Sequence, residues 1–313
     1  MTHPNRYAFI FGRFRRRDEG AQSVVETVHP LCLREGFTGE GIVDIQSNNS
    51  FYNGFCLHSN THVSVNQNNF FEEGTVVSMP YDTQGDLLEA LDAPASACES
   101  NTGLCEALTP GFYDIRILNR IDDIYAAMTS GDVDRLPDYI DVAGAFPQMV
   151  YGKTLSMNDL TPGNVYRLAC DQGKKVTFQN DAVFQRVVLI ASCELAFAQG
   201  VELNDVVIVN TDTSAKSINA PSGLQLGADD MCAEGGGAQI VTMGGVDVAS
   251  DLRMFGGQII ARGNVYFAAN ADGLAGANII SGGEISGTSN MTMGFCGSGM
   301  EDNFEVDYYR IVM

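Results

Sequence analysis

The chain has 313 residues, with 18 basic against 39 acidic side chains and a formal net charge of −21; such a field repels a nucleic-acid backbone and excludes nucleic acid as an expected partner. It is 45% hydrophobic and only 18% charged, too apolar for disorder, and 34 glycines with no tryptophan favour many short strands over helix bundles. No run of about 18 apolar residues occurs, so no segment is expected to cross a bilayer as a helix.

Residues 1–40 are expected to form a leader and cap. A basic cluster at 13–17 is of the kind that precedes an export helix, yet His29, Pro30 and Arg34 stand where its apolar stretch would run.

From 41 to 83 the chain repeats itself. VDIQSNNSFYNG (43–54) returns twenty residues later as VSVNQNNFFEEG (63–74), with Val43 over Val63, Asn48 and Asn49 over Asn68 and Asn69, and Phe51 over Phe71. A fixed short period of this kind is the mark of stacked coils. Asn tolerates left-handed corners and its amides hydrogen-bond along a stack, so these four asparagines are expected to form a structural ladder, with the two phenylalanines as inward fill.

Residues 84–160 lose the period. Ile115, Leu118, Ile121, Tyr125 and Met128 have helical spacing and predict an amphipathic helix, with Gly131 and Pro137 beyond its end. This segment reads as an α-helical insertion packed on the flank of the coil.

The period resumes over 161–300. RVVLIAS (186–192) is followed nineteen residues on by DVVIVNT (205–211). Ile240, Ile259 and Ile279 form one ladder, Val246, Val265 and Glu284 a second, with Gly-rich corners between. Val188 over Val207 is expected to face inward with them. Residues 301–313 are expected to add a C-terminal cap strand over an open end.

The fold expected is therefore all-β dominated: a right-handed parallel β-helix, a solenoid with rungs of about 19–20 residues, carrying one α-helical insertion. A helical solenoid fails because glycine interrupts every six to eight residues. A barrel or sandwich has no reason to keep a period.

Cys32, Cys56, Cys98, Cys105, Cys170, Cys193, Cys232 and Cys296 make an even set with no C-x-x-C pair. Disulfides in an oxidising compartment fit better than zinc or redox motifs. Sequence proximity suggests Cys32–Cys56, Cys98–Cys105 and Cys170–Cys193, which leaves Cys232–Cys296 over, with other connectivities open.

Catalysis of polysaccharide cleavage needs two carboxylates within ~5–10 Å. The period superposes Arg186 on Asp205, read as an ion pair, Asp247 on Tyr266, and Glu284 on Val265; no carboxylate pair emerges. His58 and His62 are four apart but fall on strand and corner, and read as ordinary histidines rather than metal ligands. Asp229, Asp230 and Glu234 lack the order of a calcium loop. No catalytic residue, metal or cofactor is expected.

FRRRDEGAQSVVE (14–26), through Arg17, Asp18, Gly20, Val25 and Glu26, resembles the start of TadE/TadG-like proteins of the Tad (Flp-type) pilus assembly system. The stretches SNNSF, GTVVSMP, GGGAQIVTMGGV and GTSNMTMGFCG are similar to the extracytoplasmic part of TadG-like proteins. The family's membrane-spanning helix does not follow Glu26 here. The resemblance implies a non-enzymatic envelope protein of pilus assembly, and the reading adopted is a structural or adhesive component of the cell envelope, periplasmic or extracellular, with other pilus-assembly or envelope proteins as expected partners and surface polysaccharide as a further candidate. The alternative from the residues alone is a carbohydrate-active β-helix enzyme, a polysaccharide lyase or hydrolase, with Asp247 and Arg262 as the residues to test.

Overall fold

A computed structural model describes residues 24–28, 30–81, 86–91, 94–170, 175–231, 233–287, 290–294, 296, 299–300 and 302–312. Its strands form one large parallel sheet wound as a β-solenoid, plus a two-stranded antiparallel sheet of Val24–Val28 with Tyr308–Val312.

Each turn contributes three short faces. Face A holds, among others, Val176–Phe178, Leu195–Phe197, Ile218–Ala220 and Val43–Ile45. Face B holds the first parts of Val183–Ala191 and Glu202–Asn210, then Gln225–Leu226, Thr292–Gly294 and Ser50–Tyr52. Face C takes the second parts of those long strands, then Ala238–Thr242, Gly36–Gly39, Cys56–Ser59 and Val76–Met79.

The period follows from the corner between faces A and B. Three residues past the A strand the backbone turns left-handed at Asp181, Gly200, Gly223, Asp251, Asn290, Asn48 and Asn68, in seven turns of the stack. Glycine, asparagine and aspartate enter that region most cheaply, so the corner selects its residue type once per turn. Inward from it run Phe184, Leu203, Leu226, Met254, Leu274, Met293, Phe51 and Phe71, paired in register and buried. Phe51 and Phe71 stack with ring centroids 4.7 Å apart, as expected.

Ile240, Ile259 and Ile279 lie in register with no exposed surface, again as expected. Two other ladders differ. Val265 pairs with Ile285, because that turn has twenty residues, so Glu284 is displaced to the preceding corner. Val188 does lie over Val207, but on the outer side of face C. Face C is buried on both sides, so its apolar runs carry no alternation from which the inward residue can be read.

The stacking order is not the chain order. The turn begun by Gln148–Val150 is first, and successive turns climb to Thr292–Gly294. The next turn up is residues 36–52: Ile279 pairs with Phe37, Ile285 with Val43 and Met293 with Phe51. The turns at 56–71 and 76–79 follow, and Leu108–Pro110 ends the ladder. Strands 108–110 and 148–155 therefore belong to the coil rather than to an insertion over 84–160, and Gly36–Gly39 belongs to it rather than to a cap over 1–40.

The helices α1 (Leu31–Arg34), α2 (Pro94–Ser100), α3 (Leu104–Ala107) and α4 (Ile121–Thr129) have separate tasks. Leu91, Ala97, Leu104 and Ala107 enter the core at the upper end, so 86–107 is the cap there. Residues 111–147 then run back along face C to the start of the ladder, roughly 48 Å at ten steps of ~4.8 Å. The expected helix begins at Ile121, preceded by a 3-10 turn at Arg116–Arg120. Its apolar face, with Ile115 and Leu118, packs on Val165, Val188, Val207, Val241, Ile260 and Ile280. Arg262 and Arg167 fix it by hydrogen bonds to Leu118 O and the Tyr125 hydroxyl.

The tail does not cover an open end. Asn303 and Phe304 lie on face C, and the strand beyond them pairs with Val24–Val28.

Candidate functional site

Face A presents a polar outer row, half-exposed at five positions and exposed at Tyr266. Asn219, Asp247, Tyr266, Ser286, Asp44 and Ser64 follow one another in register. Their neighbours on either side along each strand point inward, as the two-residue period requires. Five steps of ~4.8 Å make this row about 24 Å long. Flanking side chains orient it. Asn264 donates to the Tyr266 hydroxyl at 2.6 Å, which itself donates to Glu284 at 3.4 Å. Gln46 donates to Asp44 and Asn219 to Glu194. Lys216 pairs with Asp247 at 2.5 Å, and that hydrogen bond holds its amine above the usual lysine range. Tyr266 is 39% exposed, a phenol plate among amides, hydroxyls and carboxylates.

The asparagine ladder is present and longer than expected. Asn49 and Asn69 are buried, and Asn69 Oδ1 accepts from Asn49 N–H. Asn101, after α2, continues it by accepting from Asn69 N–H and Nδ2, and Asn49 Oδ1 accepts from Met291 N–H. Asn48 and Asn68 are the left-handed corner residues beside them, joined by Asn290.

A second amide ladder, Gln239, Gln258 and Asn278, lies buried on the outer side of face C. Gln258 donates to Phe304 O and accepts from Phe304 N–H, Gln239 donates to Asn303, and Asn278 donates to Leu33 O. The spacing of these three residues by nineteen and twenty was a visible signal, hidden by the isoleucines beside them.

His58 and His62 do not meet. His62 sits at a corner, half-exposed, while His58 is fully buried. Asn60 Nδ2 donates to Glu40 and to Tyr113 O, and its Oδ1 accepts from Tyr113 N–H. That oxygen also faces His58 Nε2 at 2.9 Å, so Nε2 carries the proton and Nδ1, 3.1 Å away, accepts from the Ser78 hydroxyl. Burial pushes the His58 pKa down, against the opposing pull of the Asn60 side chain and the Ser78 backbone. Hydroxyl, imidazole and amide thus stand in the order of a nucleophile, its base and an orienting group. The Tyr113 ring stacks on the imidazole at 4.1 Å and Gly111 closes over Ser78, where a Cβ would come within 2.2 Å of Oγ. The set is sealed, and it ties the start of 111–147 to the coil.

Cys32–Cys56, Cys98–Cys105 and Cys170–Cys193 are bridged, with Cα separations of 4.9, 5.6 and 5.6 Å. Cys296 is also disulfide-bonded; Cys232 lies outside the described residues, as do Arg17, Asp18 and Gly20, while Val25 and Glu26 fall in the strand Val24–Val28. Asp229, Asp230 and Glu234 occupy the loop between faces B and C, where Asp230 accepts from Ala233 N–H. Among the described residues no three His, Cys, Asp or Glu side chains gather as metal ligands would, and no helix is long and apolar enough to cross a membrane. Arg186 and Asp205 do superpose, but as left-handed corner residues and not as an ion pair: Asp205 accepts from Gly236 N–H. Asp247 and Arg262 serve different neighbours, Lys216 and the 118–122 segment.

A family model described as a domain of unknown function (DUF7867) matches residues 36–297. The chain belongs to that family. The DUF7867 match begins at strand Gly36–Gly39 and ends just beyond Thr292–Gly294, so it takes in both runs of coil and the return segment between them. No curated protein and no solved structure matches the chain.

Proposed function

We propose that this protein is a non-enzymatic structural or adhesive component of the cell envelope, working with the assembly of a Tad-type pilus, and that the outer row of face A is its surface for envelope polysaccharide. The observation that carries the reading is that row: polar side chains at one repeat over six turns, reaching solvent, with Asn219, Asp247, Tyr266 and Asp44 held by their neighbours. A long polymer meets such a surface many times over, each contact weak and their sum useful. The disulfides suit an oxidising compartment such as the periplasm or cell exterior. The resemblance at 14–26 supplies the pilus association.

Our reading favours binding over turnover because the carboxylates of the row are engaged: Asp247 with Lys216, Asp44 with Gln46, Glu284 with the Tyr266 hydroxyl and Glu194 with Asn219. The test is retention of the purified protein on immobilised acidic and neutral polysaccharides. Tyr266→Ala with Asp247→Ala should weaken retention at an unchanged melting temperature. Equal retention removes the row from the proposal. Depolymerisation of pectate, alginate or hyaluronate that disappears in Asp247→Ala would replace it with the carbohydrate-active enzyme.

A further inference from the structure

The two ends of the coil are treated differently. At the upper end the last strand, Leu108–Pro110, contains a proline, which has no N–H to offer, and stands beside helices α2 and α3 stapled by Cys98–Cys105. These are the usual devices that stop a strand edge from recruiting another chain. At the lower end Gln148–Val150 and Thr154–Leu155 pair only with the turn above them among the described residues. Their outer rims carry backbone donors and acceptors that no other described strand takes up.

The same end collects apolar surface. Half of the large hydrophobic side chains exposed among the described residues, namely Val142, Phe146, Met149, Tyr151 and Met157, fall within 142–157. Tyr151 is 78% and Phe146 71% exposed. Beside Met157 a groove of about 210 Å³ runs between Leu160, Pro162 and Phe184. Local charge points to the occupant. Residues 142–158 contain one side chain charged at neutral pH, Lys153, in a chain of net charge −21. Two copies that approach by any strongly acidic surface repel each other; by this end they do not.

We propose that the turn 148–155 is a self-association surface at which two copies of this chain meet end to end about a two-fold axis. The strand Gln148–Val150 of one copy lies antiparallel to the same strand of the other, which is the pairing a two-fold axis gives a single edge strand. Phe146, Met149 and Tyr151 of both copies pack around that seam. The guarded upper end stops growth at the dimer. The seam is built from few side chains, which places it with the small, reversible interfaces rather than the obligate ones.

Sedimentation velocity of the full chain across the micromolar range tests this. The wild type should pass from monomer to dimer, and Met149→Lys with Tyr151→Asp, both at exposed positions, should weaken association at least about tenfold at an unchanged melting temperature. Hydrogen exchange of the wild type should slow at 148–155 as concentration rises, a readout that does not need the variant to fold. A wild type that stays monomeric overturns the proposal. So does a dimer equally strong in the variant, growth beyond the dimer, or protection that rises elsewhere and not at 148–155.

Discussion

Ile285 stands in register with Val43, and a few residues further Met291 donates its backbone N–H to Asn49 Oδ1, 242 positions away. Through this join the coil passes from the last part of the chain to the first without a break in its core. Phe37 packs edge-on to Phe267 at 5.4 Å across it. The two runs of coil are therefore one cooperative unit.

Ile285 has no exposed surface. Ile285→Ala should cost about 2–5 kcal/mol, as a buried large-to-small change does. Because its neighbours lie in both runs, amide exchange should quicken over 43–65 and over 265–281 together. Quickening on one side alone would mean that the runs unfold independently.

The two members of each Asn pair should behave differently. Asn69→Ala leaves the buried N–H of Asn49 without its side-chain acceptor and removes the Nδ2 bonds to Asn101 Oδ1 and Asn66 O, a loss of ~1–3 kcal/mol. Asn68 supplies a left-handed corner at φ 60°; Asn68→Gly should be nearly neutral and Asn68→Ala should cost about 1 kcal/mol. Chemical denaturation that ranks Asn68→Gly as the most damaging of the three would reject this assignment.

His58 makes stability pH-dependent. Its folded pKa is lowered by burial, so below the ordinary histidine value of 6.5 the unfolded chain takes up a proton that the folded chain refuses. Stability is present above that value and falls as the pH drops below it. The melting temperature of the wild type should decline from pH 7.5 to 5.5 more steeply than that of His58→Asn. Equal slopes would show that His58 does not contribute.

Thiol titration of the denatured, unreduced protein should find no free groups, since no described cysteine is free. After reduction it should find eight, the number in the sequence. Cys170→Ser with Cys193→Ser should lower stability by about 2–4 kcal/mol. Free thiols in the unreduced protein would also remove the argument for an oxidising compartment.

The period was legible because one corner takes Asn, Asp or Gly in turn after turn, and the chain writes that demand into the sequence at 48, 68, 181, 200, 223 and 251. Short-range disulfides were legible for the related reason that neighbouring turns are neighbours in sequence. The join of Ile285 to Val43 was not, since nothing in a period says which turns stack first. The inward parity of Val188 was lost because face C is covered on both sides. The row on face A was half visible: Asp247 over Tyr266 was read correctly, but its extension to Asp44 crosses the join.

The join also sets the order of events when the chain is made. A ribosome or a translocon delivers residues 36–79, then the whole of the intervening chain, and only after it the turn they rest on, 285–294. Until then the early turns have a cap above them and nothing below, with Val43, Ile45 and Phe51 open to water or to another chain. Closing so long a loop is slow compared with local winding. Between synthesis and closure the nascent protein depends on whatever shields that unfinished face, and a chain truncated before residue 285 would never cover it.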